Sequence, residues 1–150
     1  MAEHDVLPRE GIRLAQTATD KWDAVRQSGA LLADLGAVED GYPATMLERE
    51  RSVSTYIGEG VAIPHGTDAS RALVRRTTLG VLQFPDGVEW DGEPVTICVA
   101  IAAKGDEHVT VLSALAQILM DPAQAERLRT SRSVDDVYEL LESIGKGLSV

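Results

Sequence analysis

Residues 94–103, PVTICVAIAA, are apolar at nearly every position. Alternation would mark a strand with one wet face, whereas a continuous apolar run predicts a strand covered on both faces, central in a sheet. Working outward, residues 78–84, TLGVLQF, form a second strand candidate. The segment between them, PDGVEWDGE at 85–93, holds four acidic residues and two glycines and reads as a hairpin connection. Residues 12–18 give a weaker first strand. Residues 55–66, TYIGEGVAIPHG, suit a short strand leading into a tight, exposed loop. Helices fill the rest. Thr19 or Asp20 caps one running to about Leu35, with Trp22, Val25, Gly29 and Leu32 toward the core and Gly36 as the stop. Residues 40–51 form a second, with Pro43 in its first turn. Residues 109–120 (capped by Asp106), 122–129 and 134–144 (capped by Ser133) form three more. Strand, two helices, several strands and then helices predict an α/β fold with a sheet covered by helices on both faces.

Length and charge narrow the function. A chain of 150 residues, 44% hydrophobic, is one domain of ordinary size with a proper core. Residues 1–10 and 145–150 read as loose termini. With 24 acidic and 14 basic residues the net charge is −10, which disfavours nucleic acid and anionic membrane surfaces as partners. One cysteine allows neither an internal disulfide nor a cysteine metal cluster, and no apolar run reaches bilayer-spanning length. The N-terminus lacks the basic start and apolar stretch of a secretory signal. These features predict a cytoplasmic protein.

Three histidines carry the candidate chemistry. His4 sits in the polar lead-in and reads as solvated. His65 lies between Pro64 and Gly66, just beyond the apolar VAI run, and can project from a sheet edge. It suits a nucleophile or proton carrier, or a structural loop histidine. His108 ends KGDEH where a strand meets a helix. It can add a donor to an anion at that helix N-terminus, or simply be exposed. Both histidines follow predicted strands, and ligands of open α/β sheets bind beyond strand ends, which favours one shared site. No third ligand stands at metal-binding spacing, so no metal is expected. Neither a nucleophile elbow nor a phosphate-binding lysine loop is present. Arg49, in LERER, is either an ion-pair partner of neighbouring glutamates or a fork of donors for a phosphate. Glu59, in GEG, either orients an imidazole or is solvated. Cys98 reads as an inert core thiol. Arg71, Arg75 and Arg76 form a basic cluster that the sequence does not place relative to the site.

TYIGEGVAIPHGT resembles the active-site signature of phosphotransferase-system enzyme IIA domains of the mannitol and fructose type. MLERE at 46–50, LQFPDGVEWDGE at 82–93, IAAKGDEH at 101–108 and SVDDVYELL at 133–141 extend the resemblance over roughly residues 5–145. It implies a three-layer α/β/α sandwich around a small mixed sheet. It implies that His65 is the phosphorylated residue, that His108 helps hold the phosphoryl group, and that Arg49 is the active-site arginine. Glu59 matches an acidic position beside the loop. The phosphoryl group would arrive from the phosphocarrier HPr and leave for a cysteine of an enzyme IIB, with no bound cofactor. LQFPDGVEWDGE and YIGEGVAIPHGT look most like mannitol-specific members. The alternatives are a fructose-specific IIA, a regulatory nitrogen-type IIA that acts as a phosphorylation switch, and an inert relative. Oligomeric state and the phosphorylated ring nitrogen stay open at this point.

Overall fold

The computed structural model describes residues 6–105 and 107–146, without the side chains of 108, 143, 145 and 146. His4 and the Asp106 cap expected above lie outside the described residues. The sheet has five strands: β1 (Ile12–Arg13), β2 (Tyr56–Gly58), β3 (Val61–Ala62), β4 (Thr78–Trp90) and β5 (Glu93–Ala102). Their order is β1-β4-β5-β3-β2. β1 runs parallel to β4 and β3 parallel to β5, while β4–β5 and β2–β3 are antiparallel. The sheet is therefore mixed, with the two longest strands at its centre. Helices α1 (Lys21–Asp34) and α2 (Tyr42–Ser52) cover one face. Helices α3 (Glu107–Leu119), α4 (Pro122–Thr130) and α5 (Val134–Lys146) cover the other.

β5 serves both layers, as its apolar run predicts. Ile97, Val99 and Ile101 join the α3–α5 cluster, and Val95, Cys98, Ala100 and Ala102 join the α1–α2 cluster. The period-2 partition over residues 97–102 is what makes the layers possible. Cys98 is fully buried, and burial pushes its thiol pKa up, which fits the inert core role.

Local rules set most boundaries. Asp20 caps α1 by accepting from the Asp23 N–H. Gly36, at φ +71°, ends it in a Schellman arrangement: Ala37 N–H reaches Leu32 O and Gly36 N–H reaches Ala33 O. Val25, Gly29 and Leu32 are buried, but Trp22 is half-exposed, with the Lys21 ammonium 4.8 Å and the Arg51 guanidinium 5.9 Å from its ring centre. A cation-flanked indole at the first turn is satisfied at the surface.

Four readings change. β4 does not stop at 84. It continues to Trp90 through a register shift between Gln83 and Val88, because Val88 and Trp90 are buried. The β4–β5 connection is thus only Asp91–Gly92, with φ +55° and +94°, the backbone of a tight hairpin turn. Residues 55–66 hold two strands joined by Glu59–Gly60, again both at positive φ. The described part of the lead-in is not loose. Val6 and Leu7 are buried, and Val6 O accepts from Leu79 N–H. β1 is shorter than expected, because the chain turns at Ala15 with φ +57°.

Candidate active site

β3 and β5 are parallel, so their C-terminal ends share one edge of the sheet. His65 follows β3 at that edge. Ile101 N–H donates to Pro64 O at 2.9 Å, and His65 makes an isolated bridge to Ile101. Proline gives up an N–H that the loop does not need, while its carbonyl extends the pairing.

Tyr42, in the first turn of α2, locks this loop from below. Its buried hydroxyl donates to Ile101 O at 3.1 Å and accepts from Gly66 N–H at 2.9 Å. Burial raises its pKa, opposed by the Gly66 N–H. Gly66 is required for space rather than for turning. A Cβ there would lie 2.5 Å from Ser70 Oγ and 2.7 Å from both Thr45 Oγ1 and Tyr42 Cε1.

The imidazole is oriented by its own backbone. His65 Nδ1 lies 2.7 Å from Ile63 O. A carbonyl oxygen only accepts, so Nδ1 carries the proton of the neutral ring and the lone pair sits on Nε2. Ile63 is held in turn, its N–H donating to Thr55 O at 3.0 Å. Thr55 donates through its N–H and hydroxyl to Glu50 Oε1, at 3.0 and 2.6 Å. Glu50 Oε2 accepts from Trp90 Nε1 at 3.0 Å and from Lys21 Nζ at 3.3 Å. Glu50 is only 3% exposed, and these four donors are what make a buried carboxylate tolerable. An unbroken chain of bonds therefore runs from a buried charge to the imidazole.

His65, Arg49, Tyr42, Asp68, Arg71 and Leu112 line a cleft of about 270 Å³. Arg49 projects from the last turn of α2 and donates from Nη1 to Val53 O at 2.6 Å. It makes no ion pair among those of the described residues, and Glu50 turns inward. Arg71 is the cleft residue that the sequence does not place. The basic cluster divides: Arg71 reaches the cleft, Arg75 lies 3.8 Å from Glu39, and Arg76 donates to Leu35 O.

Glu59 stands elsewhere. At φ +57° in the β2–β3 turn it pairs with Arg129 at 3.4 Å, and Arg129 also donates to its carbonyl. It lines an apolar groove with Ile57, Ile63, Leu115 and Met120, not the cleft. β3 separates it from His65, and Ile63 O does the orienting. His108 lies in the first turn of α3, which follows β5 at the same sheet edge, and its side chain is outside the description. The turn before α3 is fixed by Thr77, whose hydroxyl donates to Glu107 and accepts from Lys104 N–H.

Among the described residues, no three His, Cys, Asp or Glu side chains group as a metal site. No helix among them is long and apolar enough to cross a membrane. The arrangement places an imidazole, held through Nδ1 by a carbonyl, in one cleft with two guanidinium groups, which suits a nucleophile that takes up a small, multiply charged anion.

Comparison with known proteins places the chain in a family. The profile of the phosphoenolpyruvate-dependent sugar phosphotransferase system EIIA 2 family matches residues 5–144. The multiphosphoryl transfer protein of Xanthomonas campestris pv. campestris is 47% identical over 121 residues, 80% of this chain. The chain spans only 14% of that relative's length. The mannitol-specific phosphotransferase enzyme IIA component of Staphylococcus aureus is 36% identical over 92% of this chain and 96% of its own. Among solved structures, the complex of Escherichia coli mannitol enzyme IIA with phosphorylated mannitol enzyme IIB gives a TM-score of 0.84 at 36% identity, covering 89% of this chain and 95% of that one. The nitrogen regulatory protein IIA-Ntr of Neisseria meningitidis gives 0.74 at 29% identity, covering 91% and 96%.

Proposed function

The chain belongs to the phosphoenolpyruvate-dependent sugar phosphotransferase system EIIA 2 family, whose members are phosphotransferase components, and we propose that it carries a phosphoryl group on His65. The donor in this reading is the phosphohistidine of HPr and the acceptor a cysteine of a mannitol-type enzyme IIB. The observation that carries the reading is the Nδ1–Ile63 O bond at 2.7 Å, which leaves Nε2 as the nucleophilic nitrogen beside Arg49.

Each half of the transfer balances. The donor's P–N bond breaks as the P–Nε2 bond forms, and the donor imidazole leaves with its electron pair. In the second half the P–Nε2 bond breaks as a thiolate of IIB takes the phosphorus, returning a neutral His65. Little covalent work is left for the protein. It positions the nucleophile in line and stabilises charge on the three equatorial oxygens. Arg49 supplies a planar fork for two of those oxygens. His108, on the helix start beyond β5, is assigned the remaining donor.

Mannitol is the favoured sugar, supported by the LQFPDGVEWDGE segment and by the mannitol-specific relative of similar length. A regulatory role is the second reading, supported by the nitrogen regulatory neighbour. The test is intact mass after incubation with phosphoenolpyruvate, enzyme I and HPr, then with a mannitol-type IIB. One acid-labile phosphoryl group that moves to the IIB cysteine is the expected result. A group that stays on this chain favours the regulatory reading, and labelling that survives His65→Ala overturns the assignment.

A further inference from the structure

We propose that a second anion-binding cleft lies at the sheet edge opposite His65, and that it takes a phosphate monoester with a compact apolar body. Neither its position nor its chemistry depends on the carrier reading. The sheet contains two parallel pairs, β3–β5 and β1–β4. Because β4 and β5 are antiparallel, the two pairs point in opposite directions. Ligands of open α/β sheets settle beyond the carboxyl ends of such strands. His65 holds that place for β3–β5. Its counterpart beyond β1 is a cavity of about 520 Å³, between the turn at Ala15 and the loop joining α4 to α5. The stretch from Gly60 to His65 spans roughly 16 Å when extended, so the two clefts can be filled independently.

The wall is basic. Arg129 and Arg132 line it and no described carboxylate does, on a chain with 24 acidic and 14 basic residues. Arg129 spends Nη1 on Glu59, at 2.9 Å to the carbonyl and 3.4 Å to the carboxylate, and keeps its other N–H groups unspent among the described residues. Arg132 is exposed and makes no ion pair or side-chain hydrogen bond among the described residues. Gln83 prepares the backbone beneath them. It is 5% exposed, and its amide nitrogen donates to Ser131 O at 2.5 Å and to Arg129 O at 3.4 Å. Carbonyls at a helix end repel an anion, and Gln83 occupies these two. The same bonds tie the α4–α5 loop to β4, so both guanidinium groups start from a fixed backbone. Two planar forks match the three oxygens and double charge of a phosphate, whereas a carboxylate is satisfied by one. Leu14 and Pro85 supply apolar lining, and the cavity exceeds the 270 Å³ of the histidine cleft. That leaves room for the organic part of an ester.

The test uses phenyl phosphate as the probe, titrated into the full chain while the Gln83 side-chain amide and the Arg129 and Arg132 Nε–H resonances are followed by NMR. Saturable shifts at these groups are expected. Arg132→Ala should weaken binding roughly tenfold, with circular dichroism as a check of fold, and Arg132→Lys should restore part of it because charge returns without the fork. Inorganic phosphate, which lacks the apolar body, and benzoate, which lacks the second charge, should both bind more weakly. Arg49→Ala separates the two clefts: it removes a guanidinium from beside His65 and should leave the shifts at Gln83, Arg129 and Arg132 as they are. Absence of saturable shifts, unchanged affinity in Arg132→Ala, or loss of the shifts in Arg49→Ala would each overturn the proposal. Inorganic phosphate or benzoate matching phenyl phosphate would overturn the assignment of a phosphate monoester.

Discussion

At Tyr42 one hydroxyl closes two gaps at once, between Gly66 N–H and Ile101 O. Tyr42→Phe leaves both backbone groups buried without a partner, so a loss of about 2 kcal/mol in urea unfolding is expected, together with slower phosphorylation. Glu50→Gln removes the charge facing Lys21 and breaks the base of the chain that ends at His65. A loss of about 3 kcal/mol is expected from the unfolding midpoint, with a shift in the His65 ring nitrogen resonances that a merely structural glutamate would not cause. Glu50 was legible in principle: Tyr42, Met46 and Glu50 fall at i, i+4 and i+8, and all three are buried. The charge on the third hid the pattern. His65 and Arg49 were legible because the segments around them carry family spacing. Arg71 was not, since a 3-10 turn has no apolar period and its neighbours Arg75 and Arg76 point to other partners.

Among the elements, the β4–β5 hairpin shows where local signals mislead. Pro85 and Gly87 look like the end of a strand, yet burial of Val88 and Trp90 carries β4 past them. The true turn is the Asp91–Gly92 pair, the stronger signal for a tight hairpin. Gly92→Ala places a side chain at φ +94° and should cost about 1 kcal/mol, read from thermal unfolding. Asp20→Ala removes the cap of α1 and should cost a similar amount, about 1 kcal/mol. The same logic explains Glu59. It is near His65 in sequence, but β3 runs between them and delivers them to opposite ends of a strand. Helices were easier to read, because capping residues and 3.6-residue periodicity act within one turn.

For the molecule as a whole, an ion-paired lysine and two buried acids, the Tyr42 hydroxyl and the Cys98 thiol, set its alkaline limit. Burial lowers the Lys21 pKa, but hydrogen bonds and charge attraction from Asp91 and Glu50 outweigh this and raise it above the usual 10.5. Burial also raises the Tyr42 pKa above 10.0. Both groups therefore hold their protons more tightly when folded than when unfolded. Their contributions are complete below the unfolded values and are lost as pH climbs through the folded ones. Burial holds the Cys98 thiol above its usual 9.0 in the same way, so stability should stay level from neutral pH to about 8.5 and then fall, as followed by urea midpoints at each pH. The three-layer architecture was readable from the order of elements and from the two-faced β5. The mixed sheet was expected from the family resemblance, but its strand order was not legible, because pairing of β3 with β5 depends on contacts distant in sequence. The net charge of −10 adds a kinetic expectation. Association with a basic partner face should slow as ionic strength rises, measured as the on-rate across a salt series.

The bond between Trp90 and Glu50 has an optical consequence. The chain contains two tryptophans, and Trp90 is fully buried while Trp22 lies half-exposed between two cations. In a Trp22→Phe chain a single dry indole remains, donating to the carboxylate that anchors Thr55, Ile63 and His65. Its emission becomes an intrinsic lamp wired to the histidine loop, dimming or changing colour when that foundation shifts, with no dye attached.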